Sequence, residues 1–139
     1  MAKILTIAKK KKIENVLLKV LWEQNDPITR GRVKSKFTEI LGFDIQDISS
    51  NERIDRGFAE FRGYDPKTKR VVDIIIGPNS LINSFTEISY QEDKWLPDIL
   101  AEIRRLKMEA VKTQNFDKAC DYRTQEKDIL DRIEANNGK

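Results

Sequence analysis

The sequence contains no histidine. That removes Ser-His and Cys-His nucleophile pairs, histidine metal clusters, and the side chain most often used for proton transfer near neutrality. Cysteine is almost absent as well. Cys120 stands alone, so neither an internal disulfide nor a four-cysteine zinc site can form. The few glycines are scattered, and no Gly-x-x-x-x-Gly-Lys-Ser/Thr phosphate loop occurs. No apolar run approaches the ~20 residues that a membrane span requires. Met1 to Ala8 is mildly apolar, but Lys9 to Lys12 follow it, the reverse of a secretory signal. These absences predict a cytoplasmic, non-enzymatic protein with no metal and no cofactor.

What is present is apolar material spread along a charged chain. Hydrophobic residues make up 39% and charged residues 35% of 139 residues. That supports one small core with an appendage and argues against general disorder. The net charge of +3 is uneven. Residues 1–91 carry the basic excess, most densely at Lys9, Lys10, Lys11 and Lys12, while residues 92–139 are slightly acidic. A basic tail of this kind attracts phosphate groups.

Residues 1–11 read as that tail, with a short strand at Ile4 to Ile7. Ile13, Val16, Leu17, Val20 and Leu21 then fall at helical spacing, which predicts an amphipathic helix over about 12–24, broadened by Leu18 and Trp22. Asn25-Asp26-Pro27 ends it. Val33, Phe37, Ile40 and Leu41 repeat the spacing over 28–41, with Gly42 placed for a left-handed cap. Arg30, Arg32, Lys34 and Lys36 are assigned to the opposite, basic face. Ser49 or Ser50 suits the cap of a short helix that Gly57 ends. Phe58 to Tyr64 and Arg70 to Ile76 predict a β-hairpin around Asp65-Pro66-Lys67-Thr68-Lys69, and Ser84 to Tyr90 a third strand. Residues 12–91 are therefore expected to form a small α+β domain.

Residues 92–139 predict an antiparallel helical hairpin. Pro97 suits a first helical turn. Ile99, Leu100, Ile103, Leu106, Ala110 and Val111 form one apolar stripe. Phe116, Ala119, Cys120, Tyr122, Ile129, Leu130 and Ile133 supply the facing side. The chain reverses at Thr113-Gln114-Asn115. Asn115 is a suitable N-cap for the second helix, with Asp117 in its first turn. Two helices bury little by themselves, so the pattern calls for something to pack against.

Within the hairpin, Ala110-Val111, Gln114, Phe116, Lys118, Ala119, Arg123 and Glu126 follow Glu102-Ile103-Arg104. This run resembles the UVR motif, and is most similar to the middle linker of ClpC-type Hsp100 unfoldases, with UvrB and UvrC tails next. Cys120, Tyr122 and Thr124 depart from the motif beside its arginine, which bears on which partner fits. The zinc-binding cysteines of McsA-type relatives of the motif are absent. The resemblance implies protein–protein contact without catalysis: an adaptor or regulator docking on a UVR-like or helical surface, linked to a Clp-type unfoldase or another UVR protein. Phe116, Lys118, Tyr122 and Arg123 are the partner-binding candidates. A second reading is a winged-helix-like, nucleic-acid-associated protein that recruits repair or transcription machinery. Its phosphate-binding candidates are Lys9, Lys10, Lys11, Lys12, Arg30, Arg32, Lys34, Lys36, Lys67, Lys69 and Arg70.

Overall fold

The computed structural model describes residues 5–20 and 26–137. The chain divides into two compact units, Met1–Ser89 and Tyr90–Lys139. The first holds helices α1 (Ile7–Val20), α2 (Pro27–Leu41) and α3 (Asn51–Asp55), with strands β1 (Ile45–Asp47), β2 (Ala59–Asp65), β3 (Arg70–Ile76) and β4 (Ile82–Ser89). The second is a pair of helices, α4 (Glu92–Lys112) and α5 (Phe116–Asn137). The protein is thus α+β: two helices, a four-stranded antiparallel sheet in the order β1-β2-β3-β4, and a C-terminal helical hairpin.

Local chemistry sets most boundaries in the first unit. The Thr6 hydroxyl accepts from the Lys9 amide (3.2 Å), which starts α1 at Ile7. The expected strand ending at Ile7 is replaced by that helix start, and Lys9 to Lys12 belong to a helix rather than a tail. Ile4 and residues 21–25, including Leu21 and Trp22, lie outside the described residues. Asp26 caps α2: its carboxylate accepts from the Thr29 amide at 2.7 Å, with Pro27 opening the helix. That backbone hydrogen bond holds the Asp26 carboxyl below the usual carboxylate range. Gly42, at φ 86°, closes α2 by donating to the Thr38 carbonyl at 2.8 Å. Ser50 caps α3 by accepting from the Arg53 amide. In the β2–β3 turn the Asp65 carboxylate accepts from the Lys67 amide (3.0 Å) and the Thr68 hydroxyl (2.8 Å).

One face of the sheet packs on α1 and α2. Ala59 and Phe61 of β2 and Val72, Ile74 and Ile76 of β3 alternate onto it, with Ile45 of β1. Ile13, Leu17, Val33, Phe37 and Leu41 cover them from the helices, and Phe37 meets Phe61 edge to face at 5.3 Å. Leu18, assigned to this stripe from spacing, is exposed instead. β1 is an addition to the three predicted strands. It lies opposite Gly63, where a Cβ would come within 2.4 Å of Ile45 Cδ1 and 2.7 Å of the Asp44 carbonyl. Only glycine lets the two chains approach so closely.

In the second unit Trp95, Leu96, Ile99, Leu100, Ile103, Leu106 and Ala110 of α4 are buried. Helix α4 begins at Glu92, so Pro97 sits inside it rather than in its first turn. Proline has no amide hydrogen, so the Asp93 carbonyl lacks its usual helical donor. Gln114, at φ 60°, turns the chain, and the Asn115 side chain accepts from the Lys118 amide (3.3 Å), capping α5. That cap fixes the rotational phase of α5. The stripe it buries runs through Lys118, Tyr122 and Ile129, at helical spacing from the cap. Phe116, Cys120 and Leu130, expected to face α4, are exposed.

Candidate functional site

The hairpin is held by its own charges. Glu126 on α5 accepts from Lys107 Nζ and Arg104 Nε of α4, each at 2.7 Å. These two hydrogen bonds, Lys107 first, keep the Glu126 carboxyl below its ordinary range. Nearer the open end, Arg132 of α5 meets Glu92 of α4 at 2.8 Å. Tyr90 donates its hydroxyl proton to the Asp98 carboxylate.

The closed end differs in character. Met108 and Val111 on the last turns of α4 are 58% and 50% exposed, and Phe116 at the start of α5 is 65% exposed. These three exposed apolar side chains flank the reversal between the two helices. The four partner-binding candidates separate accordingly. Phe116 and Arg123 are exposed. Tyr122, at 2% exposure, is buried, and so is Lys118, whose ammonium lies 5.5 Å from the Tyr122 ring. Lys118 and Tyr122 therefore build the hairpin interior and are withdrawn as surface contacts. Met108 is the residue that sequence reasoning missed. Its spacing from Val111 and Leu106 was legible, but the boundary of the buried stripe was not.

The phosphate-binding candidates are not one face. Lys10, Lys11 and Lys12 are exposed on α1 and Lys9 is half-buried. Consecutive helical positions point about 100° apart, so they surround the helix. On α2, Arg32 and Lys36 are exposed, Lys36 lying 3.6 Å from Glu39, while Lys34 is half-buried. Arg30 was assigned to this basic face and is corrected: it is 2% exposed, and its Nε donates to Asp47 Oδ2 at 3.0 Å. Arg30, Val33, Phe37 and Leu41 share one helical stripe, which puts the arginine on the core side. On the β2–β3 turn Lys67 and Lys69 are exposed. Arg70 is half-buried and paired with Glu87 at 3.4 Å.

The outer face of the sheet carries a charged cluster that the sequence analysis did not single out. Glu60 of β2 meets Arg53 of α3 and Arg62 of β2, each at 3.1 Å. Arg62 also approaches Asp73 of β3 at 3.6 Å. Burial, and next the hydrogen bond and charge of Asp73, push the Glu60 carboxyl up to about 7. The alternation of Glu60 and Arg62 with Ala59 and Phe61 was the available signal. The placement of Arg62 opposite Asp73 required the register.

Among the described residues no helix is long and apolar enough to cross a membrane, and no group of three or more Cys, Asp or Glu side chains is arranged to hold a metal ion. Comparison of the chain with protein-family models, curated proteins and solved structures finds no match.

Proposed function

We propose that the chain is a non-catalytic cytoplasmic adaptor whose helical hairpin docks on a helical surface of a partner protein. The carrying observation is the exposure of Met108, Val111 and Phe116 at the closed end of a hairpin already tied by its own ion pairs. A hairpin that needed those side chains for its own core would bury them. Arg123, exposed on the same helix, supplies the charged part of the contact. Aromatic and arginine side chains concentrate binding energy at interfaces. The resemblance of this run to the UVR motif supports a partner of the same kind, a ClpC-type unfoldase linker or another UVR hairpin.

Phe116→Ala tests the reading. Purified chain is titrated by calorimetry with a ClpC-type unfoldase and, separately, with an isolated UVR hairpin. Binding should weaken at least tenfold in the variant, while its thermal midpoint stays within a degree or two of the parent because an exposed side chain is removed. Absence of binding to both probes, or equal binding by the variant, refutes the proposal. Exposed Lys10, Lys11, Lys12, Lys67 and Lys69 favour a second reading, contact with nucleic acid. Such binding would weaken steeply with salt and ignore Phe116→Ala.

A further inference from the structure

The outer face of the sheet also holds a hollow of about 360 Å³. Phe58 and Ile75 line it with apolar surface, α3 contributes Glu52 and Arg53, and the residues that cap the helix, Ser50 and Arg56, complete that side. Asn83 enters because the β3–β4 register slips between Ile75 and Ile76, leaving one extra residue on β4. The combination is that of a small-molecule site: apolar surface with a few convergent polar groups, at the small end of ligand-pocket volumes.

The charges identify the ligand class. Arg53 lies on α3, and Arg56, three positions on, is the residue that caps the C-terminus of that helix. Arg56 is paired at 3.0 Å with Glu52, and both are largely exposed. Such a pair contributes little and yields readily to a stronger anion. Arg53 uses one nitrogen on Glu60 and is itself about half exposed. Glu60 carries only part of its charge near neutrality, because its carboxyl is raised to about 7. Glu52, the partner of Arg56, lines the hollow as well, so two guanidinium groups and one carboxylate face it and the lining is net positive. A dianionic phosphate suits two guanidinium groups better than a single carboxylate does.

We infer that this hollow binds a small organic phosphate, with the phosphoryl group on Arg53 and Arg56 and a planar apolar body against Phe58 and Ile75. Asn83 offers both a donor and an acceptor to the edge of that body. Every residue that lines the hollow belongs to the first unit.

Amide-detected NMR titration of the full chain decides the matter, using AMP, phenyl phosphate, adenosine and inorganic phosphate as probes. Saturable shifts confined to residues 50–58, Ile75 and Asn83 are expected with the two organic phosphates. Their affinity should be at least tenfold above that for adenosine or inorganic phosphate. AMP binding more tightly than phenyl phosphate would assign the ligand to the nucleotides, and equal binding to aryl phosphates in general. Arg56→Ala, which alters an exposed side chain, should weaken both at least fivefold. No saturable shift, equal response to inorganic phosphate and AMP, or full binding by Arg56→Ala overturns the inference.

Discussion

Arg30→Ala should lower the unfolding free energy of the sheet-bearing unit by about 3 kcal/mol, the scale for stranding one partner of a buried ion pair. Arg30 is 2% exposed and donates to Asp47 at 3.0 Å, while the Asp47 side chain is itself mostly buried. Asp47 further accepts from the Ser49 amide at 3.0 Å and from the Ser49 hydroxyl. The same hydroxyl accepts from the Glu60 amide at 2.9 Å. The arginine thus anchors a chain of hydrogen bonds that joins α2, the β1 end and β2. Truncation leaves Asp47 with neutral donors only, and it removes the aliphatic stem from the helix–sheet core. Urea unfolding measures the loss. Arg32→Ala, two residues away and exposed, should change stability by no more than about 0.5 kcal/mol. The Arg30→Ala/Asp47→Ala double variant should recover part of the loss, because it removes the stranded charge. Equal stability of the Arg30→Ala and Arg32→Ala variants would show that the pair does not hold the fold.

Arg30 also shows what one sequence conceals. Arginine is read as solvent-facing by composition, although its spacing from Val33, Phe37 and Leu41 places it on the apolar stripe. Features fixed within a few residues were legible: the Asn115 cap, the left-handed Gly42, and the Asp65-Pro66 turn. Features fixed by distant partners were not. β1 is too short to show alternation, and it exists because Gly63, far along the chain, leaves room for it. The phase of α5 was misjudged because Phe116 and Cys120 are apolar by type yet fall outside the arc that its cap directs inward. The hairpin was therefore readable as a hairpin, while the division of its side chains between interior and surface was not. Tyr122 and Ile129 do face inward as their spacing predicts, whereas Lys118 is interior and Met108 exposed, which residue type alone does not show.

The sheet-bearing unit should lose stability as pH rises from about 5 to about 8, by roughly 2–3 kcal/mol, with Glu60 as the cause. Glu60 faces Arg53 from α3, Arg62 from its own strand and Asp73 from β3. The two arginines favour its charged form. Burial and the Asp73 carboxylate outweigh them and raise its carboxyl from 4.5 to about 7. A proton held between Glu60 and Asp73 gives a hydrogen bond in place of the repulsion of two carboxylates, which Arg62, 3.6 Å from Asp73 Oδ1, relieves only in part. The sign follows from proton counts. Below about 4.5 folded and unfolded chains both hold the proton, and the contribution is fully present. Between about 4.5 and 7 only the folded chain retains it, so each step up in pH favours unfolding. Above about 7 neither state holds it and the loss is complete. Glu60→Gln keeps the shape and a hydrogen-bond donor toward Asp73 without the ionisation. The variant should be more stable than the parent at pH 8, and its unfolding midpoint in urea should vary much less between pH 5 and 8. A parent midpoint that is flat across this range, or a Glu60→Gln variant less stable at pH 8, would mean that Arg53 and Arg62 hold Glu60 ionised in the fold.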